Sequence, residues 1–163
     1  MSPTELNSIA KKFLEKKCTV AFAESCTAGL LASEFVKANG TSDIFLGSIV
    51  TYHEFTKEQV LGVKKQTLKL YTAESQQVTN EMVMGLQKLL KADMCVAVTG
   101  LCGKGASENE EKPVGSIFIS IYFNKKVEEF REEFKGDCDS IRKKVTDFIF
   151  QKMGETIDRE NKR

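Results

Sequence analysis

Cys18-Thr19-Val20-Ala21-Phe22-Ala23-Glu24-Ser25-Cys26-Thr27-Ala28-Gly29-Leu30-Leu31 contains the change of period on which the fold turns. Its first half, Cys18 to Ala23, is short, apolar and β-branched at two positions, which suits a buried strand. Leu30, Leu31, Phe35 and Val36 then recur at helical spacing, so Ser25 falls at a strand-to-helix junction. Two roles are open to it there. Ser and Thr commonly cap helix starts. The same unpaired first-turn amides, with the positive end of the helix dipole, also suit a phosphate or an oxyanion beside a nucleophilic hydroxyl. Glu24 points, by strand alternation, to the opposite side from Ser25 and reads as structural.

Outward from this junction, helices and strands alternate. Thr4 is placed to cap a first helix with an apolar face of Leu6, Ile9, Ala10, Phe13 and Leu14. Asn39 to Asp43 reads as a turn, Ile44 to Tyr52 as a second strand, and Glu54 onward as a helix stopped by Gly62. A polar connection with Lys64 and Lys65 precedes a helix capped by Thr72, whose Val78, Met82, Leu86, Leu89 and Leu90 form a core stripe. Met94 to Thr99 is a third strand. Val114 to Phe123 and Val127 to Phe134 form a hairpin across Asn124-Lys125-Lys126, and Asp137 or Asp139 caps a last helix. The pattern predicts a three-layer α/β/α domain with a mixed, mostly parallel sheet and one C-terminal hairpin. Ligands of such sheets gather beyond the carboxyl ends of strands, where Ser25, Tyr52 and the loop after Thr99 all fall.

Composition excludes several classes of function. The formal charge of +1, from 24 basic and 23 acidic residues, gives no electrostatic footprint for nucleic acid. No window approaches the roughly 20 apolar residues of a membrane span, and Met1 to Leu6 lacks the regions of a signal peptide, so a cytoplasmic location is expected. The five cysteines include no Cys-x-x-Cys pair, which argues for reduced thiols rather than a disulfide framework or zinc site. Carboxylates and His53 form no recognisable metal-ligand cluster, and no cofactor is indicated.

A second place for chemistry is Thr99-Gly100-Leu101-Cys102-Gly103-Lys104-Gly105-Ala106-Ser107, where clustered glycines let backbone amides approach a ligand and Lys104 adds charge. It lacks the ending and spacing of a P-loop. Glu108 to Lys112 reads as a solvated acidic stretch. From the residues alone Lys57 reads as a solvated lysine, and Tyr52 as a strand-end residue with its hydroxyl in water.

Together these pieces resemble the C-terminal domain of the competence-damage-inducible protein CinA, a family whose members include nicotinamide mononucleotide amidohydrolases. The carriers are Ala-Glu-Ser-Cys-Thr-Ala-Gly at 23–29, Gly-Ser-Ile-Val-Thr-Tyr at 47–52 followed by Lys57 and Leu61-Gly62-Val63, Val98-Thr99-Gly100, and Lys112-Pro113-Val114-Gly115. The resemblance implies a single domain over 1–163, with its core at about 5–157 and a frayed tail at 158–163. It implies an enzyme that deamidates nicotinamide mononucleotide to nicotinate mononucleotide and ammonia, with Ser25 as nucleophile, Lys57 as base and Tyr52 in support. Substrate contacts are expected from Thr27, Thr99, Gly100, Gly103, Lys104 and Arg142. A homodimer or higher homo-oligomer is expected, through an apolar hairpin with an open edge.

The family's usual Gly-Asp-Arg appears here as Gly136-Asp137-Cys138, and a usual proline is Lys104. The alternative function is therefore a nucleotide-binding or regulatory module with impaired catalysis. Cys102 and Cys138, at two departures from the pattern, are a candidate redox pair.

Overall fold

The computed structural model describes residues 1–104 and 107–159. Five strands form one sheet in the order β2-β1-β3-β4-β5: β1 is Val20–Glu24, β2 Phe45–Val50, β3 Met94–Gly100, β4 Ser116–Phe123 and β5 Lys126–Glu133. β1 pairs in parallel with β2 and β3, while β3–β4 and β4–β5 are antiparallel, so the mixed sheet is divided evenly between the two kinds of pairing. The parallel steps need crossover helices. By contrast, the antiparallel step from β3 to β4 needs no crossover helix.

Helices cover both faces. On one side α1 (Pro3–Glu15), α2 (Leu30–Phe35) and α6 (Cys138–Arg159) close over Val20, Phe22, Val96 and Val98. On the other, α3 (Glu54–Leu61), α4 (Lys65–Tyr71) and α5 (Gln76–Leu90) close over Ala21, Ala23, Cys95 and Ala97. The central strands β1 and β3 therefore have apolar residues on both faces, as strands buried on both sides must. Phe22, Phe35 and Phe45 stack with ring centroids 4.9–5.4 Å apart and tie α2 and β2 to β1.

Several local expectations are corrected. Ser2, not Thr4, caps α1, and it forms a reciprocal capping box with Glu5. α4 occupies what read as a polar connection; Thr72 ends it instead of starting α5, which Ser75 caps. At the last helix Asp137 Oδ1 accepts from Ser140 N at 2.8 Å. α6 runs through Arg159, so the tail expected from 158 is helical there, and 160–163 lie outside the described residues. The hairpin turns at Asn124 and Lys125, both with positive φ, and its outer strand carries Glu128, Glu129, Arg131, Glu132 and Glu133. That edge is charged rather than apolar, a common defence against edge pairing.

Candidate active site

Ser25 sits one residue past the end of β1, where its amide donates to Val98 O at 3.0 Å and fixes it beside β3. Opposite it stands Lys57, on the inner face of α3. His53 Nδ1 accepts from Phe55 N at 3.1 Å to start this helix, and Gly62, at φ 69, ends it. Lys57 and Leu61 are four residues apart and therefore share one helical face, and both are buried. An amine thus occupies a core position of an otherwise solvated helix. Its Nζ lies 3.0 Å from Ser25 Oγ, 2.6 Å from Thr51 O and 3.5 Å from Tyr52 O.

Lys57 is 1% exposed and Ser25 9%, so the amine is sealed behind the hydroxyl. Burial pushes the lysine pKa down, opposed by the nearby charges of Glu74, Cys26 and Glu54. All three oxygens that Nζ contacts are uncharged, so none neutralises an ammonium. Nζ donates to Thr51 O, Tyr52 O and Ser25 Oγ; deprotonated, the same amine would accept the Ser25 hydroxyl proton.

The first-turn amides of α2, which the sequence offers to a phosphate or an oxyanion, are already occupied. Glu24 is fully buried; its Oε2 accepts from Gly29 N at 2.9 Å, Leu31 N at 3.0 Å and Thr27 Oγ1 at 2.7 Å, and its Oε1 from Ala32 N at 3.0 Å and Ser48 Oγ at 2.8 Å. α2 is therefore capped by a carboxylate from the preceding strand, and Ser25 is not its cap. Ala28 at φ 52 and Gly29 at φ 96 bend the chain tightly enough for this, with Ala28 in a conformation that costs an L-residue about 1–2 kcal/mol. Among the described residues, the amides of Cys26 and Thr27 make no backbone hydrogen bond.

The other expected site residues divide. Tyr52 is 67% exposed, because β2 ends at Val50 and alternation turns Thr51 inward and Tyr52 outward; Tyr52 reaches Lys57 through its carbonyl, not its hydroxyl. Thr99 is fully buried, with its hydroxyl 2.9 Å from Thr79 Oγ1, which directs it to α5 and away from a ligand. Gly100 is required by packing: a Cβ there would lie 2.5 Å from Ser116 O. Gly103 and Lys104 are exposed, and Gly105 and Ala106 lie outside the described residues. Lys112, expected in solvent, is 9% exposed, and its Nζ donates to Thr72 Oγ1 at 2.7 Å, Glu74 O at 3.1 Å and Ser107 Oγ at 2.8 Å, clasping Ser107 to the connection between α4 and α5.

Thr27 and Arg142 do come together. They line a cleft of about 680 Å³ with Gly29, Lys37, Lys143 and Thr146, whose buried hydroxyl has no partner among the described residues. This cleft meets the Ser25 segment at Thr27–Gly29 rather than at Ser25 itself. Arg142 spends its Nε on Cys26 O at 2.9 Å, so it also holds the Ser25 segment in place. Sequence reasoning missed Thr51, which supplies the shortest contact to Lys57, and Glu24, which shapes the turn. The inward alternation of Thr51 was the available signal.

The sequence profile of the CinA C-terminal domain matches residues 4–157. The chain belongs to the CinA C-terminal domain family. It is 41% identical over 143 residues to a CinA-like protein of Thermotoga neapolitana, covering 87% of this chain and 35% of that one. It is 40% identical over 140 residues to a putative competence-damage inducible protein of Clostridioides difficile, covering 86% and 33%. The chain thus spans about a third of the length of these relatives. A solved competence-damaged protein (CinA) superfamily structure from Klebsiella pneumoniae superposes with a TM-score of 0.91 at 28% identity, covering 98% of this chain and 99% of that one. In this CinA-type fold the Ser25, Thr51 and Lys57 cluster lies at the carboxyl ends of β1 and β2, where the fold class places ligands.

Proposed function

We propose that the chain is an amidohydrolase that deamidates nicotinamide mononucleotide, with Ser25 as nucleophile and Lys57 as base. One observation carries the reading: a buried lysine, depressed in pKa by burial, 3.0 Å from a serine hydroxyl at a strand end. Lys57 accepts the hydroxyl proton as Oγ attacks the carboxamide carbon. The tetrahedral oxyanion falls to the amides of Cys26 and Thr27, the next two in the chain, a kind of stabilisation commonly worth about 3–4 kcal/mol per donor. Lys57 returns the proton to the departing nitrogen, ammonia leaves, and water cleaves the ester at Ser25 with Lys57 again as base. Thr27 and Arg142 hold the phosphate end of the nucleotide, and Lys104 is assigned to the mouth of the site. A cytoplasmic reaction is part of this proposal. A homodimer or higher homo-oligomer belongs to the same proposal.

A second reading is a nucleotide-binding module without turnover. It is favoured by the cleft's opening at Thr27 and Arg142 rather than at Ser25, and by Cys138 where the family has arginine. Measuring ammonia and bound ligand together with nicotinamide mononucleotide separates the two: ammonia release supports the hydrolase, and stoichiometric binding without ammonia supports the module.

A further inference from the structure

Lys112 belongs to the connection from β3 to β4, and the proposed reaction gives it no part. Its backbone is fixed by a turn in which Asn109 and Lys112 exchange hydrogen bonds at 3.0 and 3.2 Å. From there its side chain reaches two segments at once. Nζ donates to Thr72 Oγ1 and Glu74 O, both between α4 and α5, and to Ser107 Oγ in its own connection. An ammonium has three N–H donors, and these acceptors use all of them. The Glu74 carboxylate adds the opposite charge: its Oε2 lies 4.0 Å from Nζ and accepts from Ser107 Oγ. Lys112 is thus buried beside a carboxylate, whereas the three oxygens that Lys57 Nζ contacts are uncharged.

A run of hydrogen bonds puts this clasp at the same end of the sheet as Ser25. Ser25 N donates to Val98 O at 3.0 Å, and the next residue, Thr99, has its hydroxyl 2.9 Å from Thr79 Oγ1. Thr79 Oγ1 donates to Ser75 O at 2.7 Å, Ser75 Oγ to Thr72 O at 3.0 Å, and Thr72 Oγ1 accepts from Lys112. Thr72 is itself held at φ 63 and ψ 166, where a residue with a side chain stays only if its surroundings enforce it. Gly103 and Lys104, which the family resemblance assigns to the substrate, lie between the buried Leu101 and Cys102 and the clasped Ser107.

We infer that Lys112 is a positioning residue for the proposed reaction: by tying the connection after β3 to the start of α5, it sets where Gly103 and Lys104 stand beside a substrate at Ser25. The inference rests on the hydrolase reading. Lys112 Nζ is fully engaged by Thr72, Glu74 and Ser107, so it acts through the connection and not on the reacting atoms. Contacts from Gly103 and Lys104 hold the substrate before and during the reaction alike, so misplacing them raises KM and spares kcat. A role confined to stability would instead lower the folded fraction and leave the KM of the folded enzyme unchanged.

Steady-state ammonia release from nicotinamide mononucleotide is measured for the unsubstituted chain, Lys112→Met, Ser107→Ala and the double variant, with the folded fraction of each taken from circular dichroism. Lys112→Met should raise KM by about tenfold or more while kcat stays within about threefold. Ser107→Ala should move KM the same way by less, and the double variant should be no worse than Lys112→Met, because both substitutions cut one tie. An unchanged KM in Lys112→Met, a fall in kcat alone, or effects that add in full would overturn the role. If Lys112→Met does not fold, Ser107→Ala decides, and an unchanged KM there overturns it as well. No ammonia from the unsubstituted chain defeats the hydrolase reading and this inference with it; ammonia with a KM that no substitution moves defeats the role of Lys112 alone.

Discussion

Lys57 is a residue whose chemistry is made by its place. Removing the amine while keeping its volume, as in Lys57→Met, should leave the helix and sheet intact by circular dichroism and lower ammonia release by about 10²–10⁴-fold. Retained activity would remove the lysine from its role. Because burial lowers the Lys57 pKa, the rate should rise with pH along a limb centred below the ordinary lysine value of about 10.4. Glu74 holds that pKa up, so Glu74→Gln should move the limb to lower pH, and a pH-rate profile unchanged by this substitution would contradict the electrostatic account. Stability follows the same group. Between the folded and the higher unfolded pKa, the unfolded chain holds a proton that the folded chain lacks, so stability rises with pH through that interval and is lowest beneath the folded value. Lys57→Met should abolish this contribution in denaturant titrations at different pH. The sequence alone placed Lys57 in solvent, because nothing in an eight-residue helix with charged neighbours reveals which face turns inward.

The turn from β1 into α2 and the crossing of α3 over α5 position this pair. Glu24 accepts five hydrogen bonds in full burial, and an amide there must set an N–H against backbone donors. Glu24→Gln should therefore cost about 2–3 kcal/mol in chemical unfolding, whereas a change below ~0.5 kcal/mol would show that the carboxylate is not the cap. At the second crossing, Gly85 on α5 lets Leu61 of α3 approach so closely that an added Cβ would fall 1.8 Å from Leu61 O. Gly85→Ala should cost about 1–3 kcal/mol, seen as a lower melting temperature, and should loosen Lys57 from Ser25. A melting temperature equal to that of the unsubstituted chain would mean that the crossing is not tight. These elements were only partly legible. The apolar run of β1 and the helical stripe of α5 were plain in the sequence, but α4 was hidden among lysines. The capping of α2 by Glu24 depends on carboxylate geometry that strand alternation does not convey.

In the whole molecule, the alternation of strands and helices revealed three layers before any motif was considered, since a sheet with apolar residues on both faces must be covered on both. The direction of β4 was not read: the sequence pointed to a mostly parallel sheet, whereas β4 runs antiparallel to β3 as well as to β5, and a hairpin fixes only the second of these pairings. Bringing β1, β2 and β3 side by side is what unites Ser25 with the carbonyls of Thr51 and Tyr52, and that proximity of distant segments is invisible along the chain. Family membership is secure from the match over residues 4–157, while the chemistry rests on the Ser25 and Lys57 pair. The most direct test is ammonia release from nicotinamide mononucleotide by the unsubstituted chain and by Ser25→Ala, assayed side by side with both proteins shown to be folded. Steady release by the first and background release by the second is the predicted result; equal release by both, or none by the unsubstituted chain, would contradict it.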